Sequence, residues 1–76
     1  MRSSTVFEFY VDRYEGVAHV NGWFAANNFP AVSVRVYEPV DPFDVWVNVA
    51  TERAGEMFQL LLQLVSDGTV WGCRFH

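Results

Sequence analysis

Cys73 and His76 stand three residues apart, the one place where a thiol and an imidazole come close along the sequence. Such a pair is a nucleophile beside its base. On a strand, positions three apart face opposite sides of the sheet, so these two are not expected to meet. Cys73 is expected instead as a small core residue, and His19 as a helix-surface residue. Two histidines and one cysteine, widely spaced, fall short of the four ligands that structural zinc takes. The remaining candidates are acids. Glu38, Asp41 and Asp44 share the segment EPVDPFD, and their oxygens suit a divalent cation, but the calcium-loop spacing is missing. Nothing around them implies the burial that would raise a carboxyl pKa. The chain has no phosphate-cradling glycine loop, no serine elbow and no Cys-x-x-Cys pair. The expectation is a non-enzyme with no catalytic residue, metal or cofactor.

The elements that would position these side chains are set by hydrophobic spacing. In Ala31–Ala50, Val32, Val34 and Val36 alternate with Ser33, Arg35 and Tyr37, and Val45, Val47 and Val49 alternate with Trp46, Asn48 and Ala50. Period-2 alternation of β-branched residues predicts two half-buried strands. Pro39 and Pro42 between them predict a true loop and not a tight hairpin. Thr5–Asp12 predicts another strand, with Phe7, Phe9 and Val11 on one face. From about Tyr14 to Asn27, Val17, Val20 and Phe24 fall at helical spacing, with Asp12 as the expected N-cap. Asn21-Gly22 leaves a hairpin open as the alternative there. The Asn-Asn-x-Pro ending favours the helix. Thr51 is the expected cap of a second helix with Ala54, Met57, Phe58, Leu61 and Val65 as its apolar stripe, widened by Leu60, Leu62 and Leu64 and ended at Ser66-Asp67-Gly68. Thr69–His76 predicts a last strand with Trp71, Cys73 and Phe75 facing the core.

The resulting order, βαββαβ over residues 1–76 as one domain, predicts an α+β, ferredoxin-like fold. Its four-stranded antiparallel sheet carries both helices on one face. In that topology one end collects Asp12, Glu15, Glu38, Asp41, Asp44 and Asp67, six of the nine acids, with only Arg13 against them. The other end holds Arg2, Arg53 and Arg74 against Glu52 and Glu56. An acidic end can steer and orient a basic protein surface. Each acid also has a local use, at a helix end or in a turn. The open face of the sheet is expected to carry Glu8, Tyr10, Ser33, Arg35, Tyr37, Trp46, Asn48, Val70, Gly72 and Arg74. Exposed aromatics on such a sheet are how some domains stack RNA bases. A central Glu8 and a net charge of −4 disfavour direct nucleic-acid binding. Tyr10, Tyr37 and Trp46 suit contact with a protein, or a homodimer through this face, because Trp, Tyr and Arg anchor interfaces.

No 18-residue apolar run predicts a membrane span, and a single cysteine suits a reducing cytoplasm. The chain has no lysine and no isoleucine but thirteen valines, the signature of a high-GC bacterial or phage genome. By size, acidity and the βαββαβ pattern it resembles small phage-encoded inhibitors of the anti-CRISPR type. That resemblance implies an inhibitor occupying a basic, nucleic-acid-binding surface of a partner such as a CRISPR effector subunit, with the acidic end as contact. The same element order is similar to ACT-like regulatory modules, which bind small ligands at dimer interfaces. No glycine-bearing ligand loop follows the first strand here; Gly16 is the nearby glycine.

Overall fold

The computed structural model describes residues 3–35 and 43–76. The described elements are β1 (Ser4–Val11), α1 (Tyr14–Ala26), β2 (Ser33–Arg35), β3 (Phe43–Ala50), a 3-10 turn (Thr51–Arg53), α2 (Ala54–Ser66) and β4 (Trp71–Phe75). The chain is α+β, with two helices and a four-stranded antiparallel sheet in the order β2-β3-β1-β4. β1 and β3 pair along eight residues, from Ser4 opposite Ala50 to Val11 opposite Phe43. The alternation expected from their sequences is met. Phe7, Phe9 and Val11, with Phe43, Val45, Val47 and Val49, are buried on one face. They form one core with Val17, Val20 and Phe24 of α1 and Met57, Leu60, Leu61 and Leu64 of α2. Each large side chain buried this way contributes about 1.5–3 kcal/mol.

Residues 14–26 settle as a helix, and Gly22 stands on its outer side with no heavy atom near its missing Cβ. Asp12 does not cap it. Arg13 occupies the extended N-cap position, without a side-chain bond, and Asp12 accepts a hydrogen bond from the Trp71 indole at 3.0 Å instead. The C-terminal end follows the sequence. Asn28 takes the left-handed conformation at φ 62. Its N–H reaches Ala25 O, and the Phe29 N–H reaches back to Phe24 O at 2.8 Å. This six-residue lock comes with its usual apolar contact, the Phe24 and Phe29 rings lying edge to face at 6.1 Å. Gly68 plays the same part after α2, at φ 83, with Thr69 N–H on Leu64 O.

Thr51 opens the 3-10 turn, and neither that turn nor α2 has a side-chain cap. Arg53 makes the important contact here. Its guanidinium donates to Asn28 O at 2.7 Å, Asn27 O at 3.0 Å and Glu56 at 2.8 Å, and lies 4.0 Å over the Phe29 ring. A cation on the last carbonyls of α1 suits the negative end of that helix. One side chain thus ties the end of α1 to the start of α2.

Several expectations about the core are corrected, among them Cys73 and Phe75, which keep the core-side face but are exposed beside α2. Trp71 was expected on the core face with Cys73 and Phe75, but it lies on the opposite, open face, stacked on Tyr10 at 4.9 Å. The cause is a bulge: the β1–β4 register shifts between Glu8 and Tyr10, and Gly72 takes φ 65. An extra residue in one strand flips every side chain beyond it. Val70, expected on the open face, is buried, because it leaves the α2 lock directly, its N–H still on Leu64 O. In α2 the buried stripe is Met57, Leu60, Leu61 and Leu64, leaving Phe58, Leu62 and Val65 exposed. In β2 Val34 is exposed at the sheet edge, Val32 packs on the core rim, and Val36 lies outside the described residues.

Candidate functional site

The acidic end is assembled from three elements. Asp12 follows β1, Glu15 lies in the first turn of α1, and Asp67 caps α2. All three side chains are exposed. Asp12 and Glu15 line an open depression of about 410 Å³ with Arg13, Gly16, His19, Gly68 and Thr69. Its floor is tight: a Cβ on Gly16 would sit 3.2 Å from Val11 Cβ, so α1 starts close against β1. Asp67 Oδ1 accepts the Thr69 N–H at 3.0 Å and the Thr69 hydroxyl at 2.6 Å. These bonds, aided by the field of His19, hold its carboxyl below the usual aspartate range. Asp12 and Asp67 therefore each have a structural use as well as a charge. Glu38, Asp41 and Tyr37 lie outside the described residues.

Asp44 lies at this same end of the sheet, but its carboxyl is buried and adds no exposed charge there. It is the second residue of β3, on the open face, opposite Tyr10 on one side and Arg35 on the other. Only 5% of its surface is exposed, and its Oδ1 has no hydrogen-bond partner. Burial pushes its carboxyl up, and the neighbouring Glu8, hydrogen-bonded to it, pushes it further. Arg35 and Arg74 pull the other way, more weakly. Glu8 is held low, chiefly by His76 and then by Asp44 and Arg74. Of the two neighbours, Asp44 is the carboxyl pushed up and Glu8 the one held low. The sequence reading foresaw no buried carboxyl. The signal was present in the same-face positions of Glu8 and Asp44 on two central strands, but a loop had been expected through residue 44.

Around that pair the open face is densely bonded. Arg74 donates to Glu8 at 3.2 Å and to the Tyr10 hydroxyl at 3.0 Å, and His76 Nε2 lies 3.3 Å from the same Glu8 oxygen. The Arg74 guanidinium stands 5.9 Å over Tyr10, and Arg35 stands 5.1 Å over Trp46. Tyr10 and Trp46 are half-buried beneath these neighbours. A carboxyl pair with unlike pKa values is the equipment of acid–base chemistry. Here the member with the raised pKa is closed off from solvent and only Glu8 is accessible.

Cys73 and His76 do not meet: His76 bonds Glu8 on the open face, while Cys73 lines a groove against α2. Burial pushes the Cys73 thiol up, away from the nucleophilic thiolate. Among the described residues, no three of His, Cys, Asp and Glu gather as a metal site. No described helix is long and apolar enough to cross a membrane. No protein-family model matches the chain, and a search of curated proteins finds no match.

Proposed function

We propose that the chain is a non-catalytic protein-interaction domain of ferredoxin-like arrangement that docks its acidic end on a basic surface of another protein. The strand order β2-β3-β1-β4 with helices after β1 and β3 supports the ferredoxin-like assignment. The observation that carries the function is the convergence of exposed Asp12 and Glu15 with Asp67, drawn from three elements, at one end of the molecule. Such a cluster speeds encounter with a positive groove and fixes its orientation. The partner is a protein that itself binds nucleic acid, a CRISPR effector subunit being the example, and the domain acts as an inhibitor of the phage anti-CRISPR type. The open face is the weaker candidate, because Tyr10 and Trp46 are already occupied by Trp71, Arg74 and Arg35.

The test removes charge and keeps structure. In the triple variant Asp12→Asn, Glu15→Arg, Asp67→Asn, the amide oxygens still accept from Trp71 and Thr69. Pull-down from bacterial lysate should capture a nucleoprotein component with wild type and lose it with the variant. Equal capture by both refutes the acidic-end assignment. The ACT-like alternative is favoured by one observation, the depression of about 410 Å³ where β1 passes into α1, a volume that suits a small ligand. A metabolite co-purifying with the protein, and lost on Gly16→Leu, would select it.

A further inference from the structure

β4 is the edge of the sheet next to α2, and its outward side is unfinished. Val6 and His76 exchange both main-chain hydrogen bonds, at 3.2 and 2.8 Å. Antiparallel alternation therefore turns the N–H and C=O of Phe75, between the Val6–His76 and Glu8–Arg74 pairs, away from β1. Beside this edge runs an apolar strip. Phe58 is 45% exposed, Leu62 48%, Val65 42% and Phe75 63%. They flank a narrow groove of about 70 Å³ that Cys73 also lines, and a wider one of about 250 Å³ continues past Ala54 and Gly55. Residues 57–66, MFQLLLQLVS, contain no charged side chain. The four exposed residues leave ~400 Å² of apolar surface uncovered, within the roughly 300–600 Å² of a monomer's largest patch, which is often functional.

We propose that this edge pairs with a second copy of the chain, β4 against β4, antiparallel about Cys73, with the outer stripes of the two α2 helices closing over the junction. The two ends of the strip differ in charge. Asp67 and Asp12 stand at the Trp71 end, with Asp12 bonded to that indole, whereas at the other Arg74 and His76 share the Glu8 carboxylate. A two-fold axis across the edge keeps the two acidic ends apart and sets each beside the Glu8–Arg74–His76 cluster of the mate. A parallel pairing would set like beside like. The register centred on Cys73 also places Gly72 opposite Arg74 of the second copy. This gives the guanidinium room and keeps the two arginines apart. Two such strips contribute ~800 Å² together, and the paired main chains extend this toward the ~1,200 Å² of a small stable interface. A two-fold interface must be self-complementary, and this one is.

Sedimentation equilibrium reads the result directly. Wild type should show twice the 8.7 kDa chain mass, and Leu62→Glu should return to the single-chain mass with its far-UV circular dichroism unchanged. A short bis-maleimide should join wild-type chains through Cys73 and leave Cys73→Ser unjoined. A wild type that stays at 8.7 kDa up to millimolar concentration overturns the proposal. So does a dimer that survives Leu62→Glu, since its interface would lie elsewhere. Binding of an extended apolar peptide by a monomeric wild type would assign the edge to another chain, and likewise overturn it.

Discussion

Gly72→Ala should be the most damaging small substitution in the sheet, and its cost can be worked from the structure. Gly72 holds φ 65, in the left-handed region, where any Cβ costs about 1–2 kcal/mol. The added methyl would also lie 2.8 Å from Tyr10 Cδ2 and 3.2 Å from Cε2, closer than carbon atoms tolerate. The ring must leave, and its stack with Trp71, at 4.9 Å, is worth about 0.5–1.5 kcal/mol. The expected loss is therefore ~2–3 kcal/mol, which in a domain of this size lowers Tm by ~10 °C or more. Urea unfolding with linear extrapolation measures it. Gly22→Ala is the control. Its site is helical with nothing near the new Cβ, so it should add up to about 1 kcal/mol. A Gly72→Ala loss below ~1 kcal/mol would refute the idea that a left-handed glycine under Tyr10 fixes the bulge. Unchanged near-ultraviolet circular dichroism from the Tyr10–Trp71 pair would refute it equally.

Asp44→Asn should stabilise the protein at neutral pH. The folded-state pKa of Asp44 is raised from 3.8, so the stability its protonated form contributes is full below that value and is lost as pH rises through the folded pKa. The amide keeps a donor toward Glu8 at every pH, so the gain should shrink on acidification; urea midpoints across a pH series check both sign and window. Arg53→Met keeps the stem on Phe29 but removes the donors to Asn27, Asn28 and Glu56, costing ~1–2 kcal/mol. Amide exchange should quicken first at residues 27–29. Cys73, its thiol pushed up by burial, should react with maleimide more slowly at pH 7 than free cysteine, and at the free rate in urea.

The strands β1 and β3 were legible because alternation and core face coincide there: every second residue from Phe7 to Val11 and from Phe43 to Val49 is buried. Both helix ends were legible because Asn28 and Gly68 are residue types that accept a left-handed backbone. β4 was misread because period-2 counting assumes an uninterrupted ladder, and a single glycine at 72 breaks it. Asp44 was misread for the opposite reason. Its proline-rich, acidic neighbours suggested loop chemistry, while its partners Tyr10, Glu8 and Arg35 are distant in sequence. The Arg53 tie left no local signal either, since it joins residues 25 and 26 positions apart. Of the acidic end, Asp12, Glu15 and Asp67 follow from topology alone.

α2 is apolar on more than its buried side. Met57, Leu60, Leu61 and Leu64 face the core, and Phe58, Leu62 and Val65 form a second stripe displaced by about one residue, roughly 100° around the axis. Rolling the helix by that angle would exchange one greasy stripe for another at small hydrophobic cost, so burial alone sets its rotational phase weakly. The phase is held at the two ends, by Arg53 gripping the close of α1 and by the Gly68 lock feeding Val70 into the core. Loosening both at once should let α2 slip between settings while remaining helical.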